Sequence, residues 1–173
     1  SVKIIGTINE QPSTSKISIA VSLLKNTSRF EWFLEKATEL GVAEIIPLLC
    51  ARTEKAAFKT ERLKGILVSA MLQSQQCWLP VLREPVKFAH LVESASQPQR
   101  FIAHCEEGEP KKNLSAVQFS HSPVIVLIGP EGDFTSEEIA LALQKQFDPV
   151  RLGNTRLRTE TAGVVAATLL CLV

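Results

Sequence analysis

The chain has 173 residues, of which 45% are hydrophobic and 21% are charged. This length fits one ordinary domain with its own core, and this composition excludes an intrinsically disordered chain. The 19 Lys and Arg residues nearly balance the 18 Asp and Glu residues, so the formal net charge is only +1. Because the whole chain carries no strong field, any site for a polyanion must be a local patch.

The apolar stretch from Ala162 to Val173 suits a buried helix. Its length of about 12 residues is well below the roughly 20 residues that cross a bilayer. The four cysteines, Cys50, Cys77, Cys105 and Cys171, include no C-x-x-C pair and have no His at zinc-ligand spacing. We therefore expect no membrane span and no metal site. We also expect reduced, mostly buried cysteines in a cytoplasmic protein.

The apolar spacing switches repeatedly between the period of a strand and that of a helix. Strands are predicted over 17–23, 44–49, 100–105, 123–128 and 149–152. Helices are predicted near a capping box at Ser28 and Glu31, from Thr60, over 87–94, from a capping box at Thr135 and Glu138, and from Thr159. This alternation predicts an α/β fold, a mostly parallel sheet flanked by helices, with strand 123–128 buried at its centre.

A sharp break, Ile128-Gly129-Pro130-Glu131-Gly132-Asp133, follows this most apolar strand and precedes a helix. Parallel sheets bind ligands at the carboxyl ends of their strands, and glycines let the backbone approach a ligand closely. The segment lacks the glycine-rich patterns that cradle phosphates, so phosphate binding is not indicated here. The alternative interpretation is a plain tight turn.

A second junction, LGNTRLRTETAG at 152–163, also lies between a strand and a helix. Arg156 and Arg158 can hold a phosphate or another oxyanion. Glu160 falls in the first turn of the helix, where the helix dipole stabilises a negative charge. The alternative is an N-cap with exposed arginines. Because two such junctions occur in one sheet, the interpretation of each as a simple turn or cap is weakened.

Two further charged features have simple structural interpretations. Lys36 and Glu39 are three residues apart and are expected to pair on a helix surface. The basic stretch from Arg52 to Lys64 is either a solvated face or a zone of phosphate contacts.

Four segments of the chain match a known pattern in the same order. They are RFEWFLEKATELGVAEIIPL (29–48), SAMLQSQQCWLPVL (69–82), IGPEGDFTSEEI (128–139) and LGNTRLRTETAG (152–163). Together they resemble the RsmE family of SPOUT methyltransferases, the 16S ribosomal RNA uridine-N3 methyltransferases. This sequence departs from the family pattern at Gln76-Cys77-Trp78, where many members have a basic residue. We therefore do not extend to this chain an RNA contact made by that basic residue.

The resemblance implies a SPOUT-type fold with a C-terminal trefoil knot. The segments 128–133 and 152–160 would form the knot and hold S-adenosylmethionine. The resemblance also implies a homodimer that acts on 16S ribosomal RNA of the small ribosomal subunit. Family members usually carry an N-terminal RNA-binding domain of PUA type. We therefore expect a fragment of a longer protein, with residues 1–16 as the exit segment of that domain and 17–173 as the methyltransferase domain.

The resemblance and the side-chain chemistry together suggest roles for individual residues. Glu131 and Glu160 are the candidate acceptors of the uridine N3 proton, and either could instead complement the sulfonium charge. Arg158 could stabilise the uracil anion or a phosphate, and Arg52 and Arg156 are candidate RNA ligands. The adenosine pocket is expected at the backbone and apolar groups of Leu127, Ile128, Gly129, Pro130, Gly132, Leu152, Gly153, Leu157 and Thr159.

Two other classes of function stay open at this point. A non-catalytic RNA-binding or assembly module on the same fold would be expected to have lost the cofactor loops, yet both glycine-containing junctions are intact. An α/β enzyme that uses another nucleotide would be expected to carry a glycine-rich phosphate fingerprint, which is missing. Binding of S-adenosylmethionine separates the methyltransferase from both alternatives.

Overall fold

The structure is a computed structural model that describes residues 5–6, 16–54, 57–108, 110–119 and 122–172. Most of the predicted exit segment, 1–16, lies outside these residues. Strands and helices alternate along the described chain, which confirms the prediction from apolar spacing. The strands are β1 (Ile17–Ser22), β2 (Glu44–Leu49), β3 (Val81–Leu82), β4 (Val86–Lys87), β5 (Gln99–Ala103), β6 (Lys112–Asn113), β7 (Val124–Ile128) and β8 (Asp148–Arg151).

The helices of the described chain are α1 (Thr27–Glu39), α2 (Thr60–Gln73), α3 (Phe88–Ser94), α4 (Ser136–Gln144) and α5 (Thr159–Cys171). The described strands form one sheet in the order β3-β2-β1-β7-β5-β8-β6, and β4 also pairs with β2. Every described pairing is parallel. The predicted α/β fold with a mostly parallel sheet is therefore confirmed. All five residues of β7 are buried in the middle of the sheet, as predicted.

Helices cover both faces of the sheet. Successive residues of a strand point to opposite faces, so a central strand contributes side chains to the apolar layer on each face. Along β7, Val124, Val126 and Ile128 pack into one apolar layer with residues of α1, α2 and α5. Ile125 and Leu127 pack into a second layer, to which α3 and α4 contribute. When both faces of a sheet are buried, only the ends of its strands are open to solvent. Ligand sites therefore form at the carboxyl ends of the strands.

Helices α1 and α5 approach each other closely at Gly163. A Cβ atom at this position would lie 2.6 Å from Cε2 and 2.8 Å from Cδ2 of Phe33. The Phe33 ring is fully buried. Glycine is therefore required here, and this contact brings the first turn of α5 beside the first turn of α1.

Helix starts follow the capping predictions only in part. The capping box at Thr135 and Glu138 is confirmed. Helix α1 instead begins after Asn26, whose side chain accepts a hydrogen bond from the Ser28 amide, so the capping box predicted from Ser28 is wrong. Asparagine caps a helix as well as serine does, and here it comes first in the chain. Helix α2 has no side-chain cap, so the cap predicted at Thr60 is also wrong.

Two structural findings bear on the expectations from composition. Within the ranges that the structure describes, no helix has both the length and the apolar character needed to cross a membrane. No disulfide joins the four cysteines, which all lie within the described residues, but Cys77 and Cys105 are exposed and Cys171 is half-buried. The prediction of mostly buried cysteines is therefore wrong. Cys77 and Cys105 lie in loops between the strands and helices, where no layer covers them.

Candidate active site

A cleft opens at the carboxyl edge of the sheet, where β5, β7 and β8 end side by side. Its volume is about 1130 Å³, enough for a nucleoside-sized ligand. Three loops line it: 103–111 after β5, 128–133 after β7 and 150–159 after β8. The two junctions singled out in the sequence therefore meet across a single cleft.

Most of the predicted site residues line this cleft. They are Ile128, Gly129, Pro130, Glu131, Leu152, Gly153, Arg156, Leu157, Arg158 and Thr159. The remaining four do not line it. Leu127 is fully buried inside β7. Gly132 lies in the first junction and accepts a hydrogen bond from Arg52, and Glu160 lies 3.7 Å from Arg29, which lines the cleft.

The first junction is a tight turn fastened to the neighbouring loop. Asp133 adopts a left-handed backbone conformation with φ +63°, and its amide donates to the Pro130 carbonyl over 2.9 Å. One carboxylate oxygen of Asp133 accepts from the Phe134 amide over 2.8 Å, and the other accepts from the Cys105 amide over 2.7 Å. Because its carboxylate satisfies two amides, Asp133 fixes the turn and joins it to the loop after β5.

Arg52 supports the first junction from outside the cleft. Its Nη1 donates to the Gly132 carbonyl over 2.6 Å and to the Phe134 carbonyl over 3.3 Å. The adjacent Ala51 amide donates to the Glu138 carboxylate over 2.8 Å. The loop after β2 is thus attached to the turn and to the start of α4. The guanidinium of Arg52 is engaged by backbone carbonyls of its own chain.

The second junction is tied to the first by a buried hydrogen bond. The Thr159 hydroxyl donates to the Gly129 carbonyl over 2.9 Å, and the bond is buried. Leu152 and Leu157 are half-buried and form apolar walls of the cleft. Arg156 and Arg158 are exposed at its mouth and have no ion-pair partner among the residues that the structure describes.

The two candidate proton acceptors, Glu131 and Glu160, differ in their access to the cleft. Glu131 lines the cleft, and 55% of its side chain is exposed. Glu160 does not line the cleft, and only 8% of its side chain is exposed. Both are close to Arg29, at 2.9 Å from Glu131 Oε1 to Nη1 and 3.7 Å from Glu160 Oε1 to Nε. A ligand in the cleft can therefore reach the Glu131 carboxylate, while Glu160 lies behind it.

Sequence reasoning missed one wall of the cleft and Arg29. The missed wall is the loop after β5, which includes His104, Cys105 and Lys111. The Lys111 ammonium donates to the carbonyls of His104 and Glu106, which curls this loop. The available signal was the predicted strand 100–105, whose carboxyl end lies at the same edge of the sheet. What the sequence did not show was that β5 lies between β7 and β8.

The chemistry of the lining suits an organic ligand. Among the described residues, no group of three or more His, Cys, Asp or Glu side chains could hold a metal ion. Ile128, Leu152 and Leu157 offer apolar surface for a ring. Glu131 offers a negative charge for a cationic group, and the arginines at the mouth offer positive charge for an anion.

The predicted pair of Lys36 and Glu39 lies away from this cleft. It forms over 2.9 Å, as predicted.

Comparisons with known proteins identify the family of the chain. A family model described as an RNA methyltransferase domain matches residues 10–171. The ribosomal RNA small subunit methyltransferase E of Synechocystis sp. is 34% identical over 96% of this chain and 56% of its own length. The chain thus spans little more than half the length of that curated relative.

Solved structures of similar proteins have the same fold. A probable rRNA-methyltransferase from Porphyromonas gingivalis is 37% identical, with a TM-score of 0.87 over 94% of this chain and 71% of that chain. A ribosomal RNA small subunit methyltransferase E from Neisseria gonorrhoeae, solved bound to S-adenosyl methionine, is 25% identical. Its TM-score is 0.74 over 92% of this chain and 66% of that chain.

These matches confirm the family predicted from the four motifs and, with it, the SPOUT-type fold. The trefoil knot and the roles of individual site residues stay predictions. Because the family model covers nearly the whole sequence, the chain belongs to the RNA methyltransferase family.

Proposed function

We propose that the protein to which this chain belongs transfers a methyl group from S-adenosylmethionine to N3 of a specific uridine in 16S ribosomal RNA of the small ribosomal subunit. The observation that carries this proposal is the meeting of both motif junctions in one cleft, with arginines at its mouth that have no ion-pair partner within the described chain. The names of the relatives and the cofactor bound in the Neisseria gonorrhoeae structure support it.

The residues of the cleft fit S-adenosylmethionine. The apolar side chains of Ile128, Leu152 and Leu157 can enclose the adenine, and main-chain groups of the two junctions can bind its edge. The hydrogen bond from Thr159 to Gly129 joins the two junctions, so both walls of the pocket are tied together.

The chemistry assigns different tasks to the charged residues. When bound, S-adenosylmethionine supplies a methyl group on a sulfonium, so the uridine N3 gains that group and must give up its proton. We assign the acceptor role to Glu131, because it is the candidate carboxylate that lines the cleft. Arg158 is exposed at the mouth, where a guanidinium can stabilise the negative charge on the uracil oxygens.

The RNA phosphates are assigned to the arginines of the second junction. Arg156 was predicted for this role, and the structure adds Arg151, which is exposed, lines the same cleft and has no ion pair within the described residues. Guanidinium groups that lack an internal partner are available for phosphates, and such contacts weaken as salt rises. Arg52 is assigned to the support of the first junction, since backbone carbonyls already engage its guanidinium.

A homodimer in the cytoplasm completes the proposal. Helix α5 is apolar along most of its length, yet Val164 and Leu169 are only half-buried and Leu172 is 66% exposed. Trp32 on the adjacent α1 is 43% exposed. A second copy of the chain could cover this apolar face. We further propose that residues 1–16 lead out of an N-terminal RNA-binding domain, with 17–173 as the methyltransferase domain.

The test is Arg158→Ala, assayed by transfer of labelled methyl groups to small ribosomal subunits that lack the modification. Methyl transfer should be abolished while the thermal midpoint stays near the wild-type value, because Arg158 is exposed and makes no ion pair within the described chain. Lys64→Ala is the matched control, since Lys64 is an exposed cation on α2 that pairs with Glu61 over 3.3 Å.

Near-normal turnover by Arg158→Ala would remove Arg158 from the mechanism. A folded wild-type protein that binds small ribosomal subunits but neither binds S-adenosylmethionine nor transfers a methyl group would favour the non-catalytic RNA-binding module.

A further inference from the structure

Arg29, in the first turn of α1, joins the acidic residues of both motif junctions. Its Nη1 donates to Glu131 Oε1 over 2.9 Å, and its Nε lies 3.7 Å from Glu160 Oε1. Glu131 belongs to the loop after β7, and Glu160 belongs to the first turn of α5. One guanidinium therefore connects three separate elements at the wall of the cleft, which Arg29 itself lines.

Glu160 is buried beside a cation. The residue is 6% exposed, and its Oε2 has no hydrogen-bond partner within the described chain. An ionised carboxylate withdrawn from water is costly unless a positive charge compensates it. Arg29 supplies that charge. The pair is therefore built into the packing of α1 against α5 rather than formed by two mobile surface side chains.

The backbone determines where the Arg29 guanidinium lies. Arg29 is one helical turn before Phe33, and Glu160 is one turn before Gly163, so both pairs lie along the same contact between the helices. The Phe33 ring leaves no room for a Cβ at Gly163. This close approach brings Arg29 and Glu160 together and leaves Arg29 free to reach Glu131.

We propose that Arg29 is a positioning residue: buried Glu160 anchors its guanidinium, and the guanidinium holds Glu131 at the wall of the cleft. The inference rests on the proposed function, in which Glu131 accepts the uridine N3 proton. Glu160 then acts through Arg29 and touches neither the uridine nor the cofactor. The two acidic residues of the motifs thus have different tasks, one at the reacting atoms and one behind them.

The test compares Arg29→Gln, Arg29→Lys and Glu160→Gln in the full-length protein. In Arg29→Gln, kcat for methyl transfer should fall on the order of 10- to 100-fold, because small displacements of a reacting group are that costly. The KM for S-adenosylmethionine should change less than about 3-fold, since the apolar pocket is intact. Arg29→Lys should recover part of kcat, because it keeps the positive charge.

A double variant and a control isolate the proposed chain of contacts. Arg29→Gln with Glu160→Gln should be no slower than Arg29→Gln alone, because Glu160 acts only through Arg29. Arg62→Gln is the matched control. Arg62 pairs with Glu31, also on α1, over 2.5 Å and does not line the cleft, so kcat should not change.

A second readout is independent of methyl transfer. The rate at which a water-soluble carbodiimide modifies Glu131, followed by mass spectrometry, should rise several-fold in Arg29→Gln and stay unchanged in Arg62→Gln.

Wild-type kcat in Arg29→Gln, additive losses in the double variant, or an unchanged modification rate would each overturn the inference. If Arg29→Gln does not fold, wild-type kcat in Glu160→Gln overturns it. A wild-type protein without methyl transfer contradicts the proposed function instead, and the carbodiimide rates still decide the role of Arg29.

Discussion

Substitution of Gly163 by alanine tests the packing on which the site depends. The new Cβ would lie 2.6 Å and 2.8 Å from two carbons of the Phe33 ring, well inside the separation that carbon atoms tolerate. Phe33 is fully buried and belongs to the core layer between the sheet and α1. Helices α1 and α5 must therefore separate, or the ring must leave its preferred rotamer.

The size of the effect follows from two opposing contributions. Overpacking of a filled core costs about 1–3 kcal/mol, and the upper part of that range applies because a buried aromatic ring has little room to move. Alanine in a helix interior returns about 1 kcal/mol relative to glycine. The free energy of unfolding should therefore fall by about 1–2 kcal/mol. For a domain of this size the thermal midpoint should fall by roughly 2–8 °C.

Urea denaturation at fixed protein concentration measures the effect, with Gly65→Ala as the matched control. Gly65 lies inside α2, and a Cβ there would meet no atom within 4 Å. Only the gain in helix propensity applies, so Gly65→Ala should stabilise by up to about 1 kcal/mol. Equal stability of the two variants, or a Gly163→Ala protein more stable than wild type, would refute the packing argument.

Three further predictions concern the junctions and the thiols. Arg52→Ala should weaken S-adenosylmethionine binding by up to about 10-fold in calorimetry, because a first junction that has lost two hydrogen bonds, worth on the order of 1–2 kcal/mol, must be ordered when the cofactor binds. Thr159→Val should lower the urea-unfolding free energy by about 1–3 kcal/mol, because the buried Gly129 carbonyl loses its donor. Burial raises the pKa of Cys50 to about 12, so at pH 8 iodoacetamide should label exposed Cys77 and leave Cys50 as an unreactive thiol.

Each of these predictions has a result that contradicts it. Unchanged cofactor affinity in Arg52→Ala would show that the first junction does not need support from the loop after β2. A Thr159→Val protein as stable as wild type would mean that the Gly129 carbonyl finds another donor. Rapid labelling of Cys50 in the folded protein at pH 8 would mean that its layer opens readily.

The strands, the helices and the two junctions were predictable because the residue patterns that indicate them are local in the sequence. Apolar period, caps and glycines identified β7 as the central strand and located the junctions at 128–133 and 152–163. These features depend on residues close together in the chain. The rule that parallel sheets bind ligands at carboxyl ends then placed a site at both junctions, which the structure brings together in one cleft.

The order of the strands was not predictable, because it depends on pairings between distant segments. Only the tertiary structure places β5 between β7 and β8, which adds the loop 103–111 to the cleft. Only it shows that the Arg52 guanidinium is held by the backbone carbonyls of Gly132 and Phe134.

The different positions of Glu131 and Glu160 could not be predicted from the sequence. Both are acidic residues that follow a strand end, and the motifs made both candidates for the same task. Their difference is one of burial: one side chain is 55% exposed at the cleft and the other only 8% exposed behind Arg29. Burial depends on what packs around a side chain, and here that is decided by the close contact of α1 with α5 at Phe33 and Gly163.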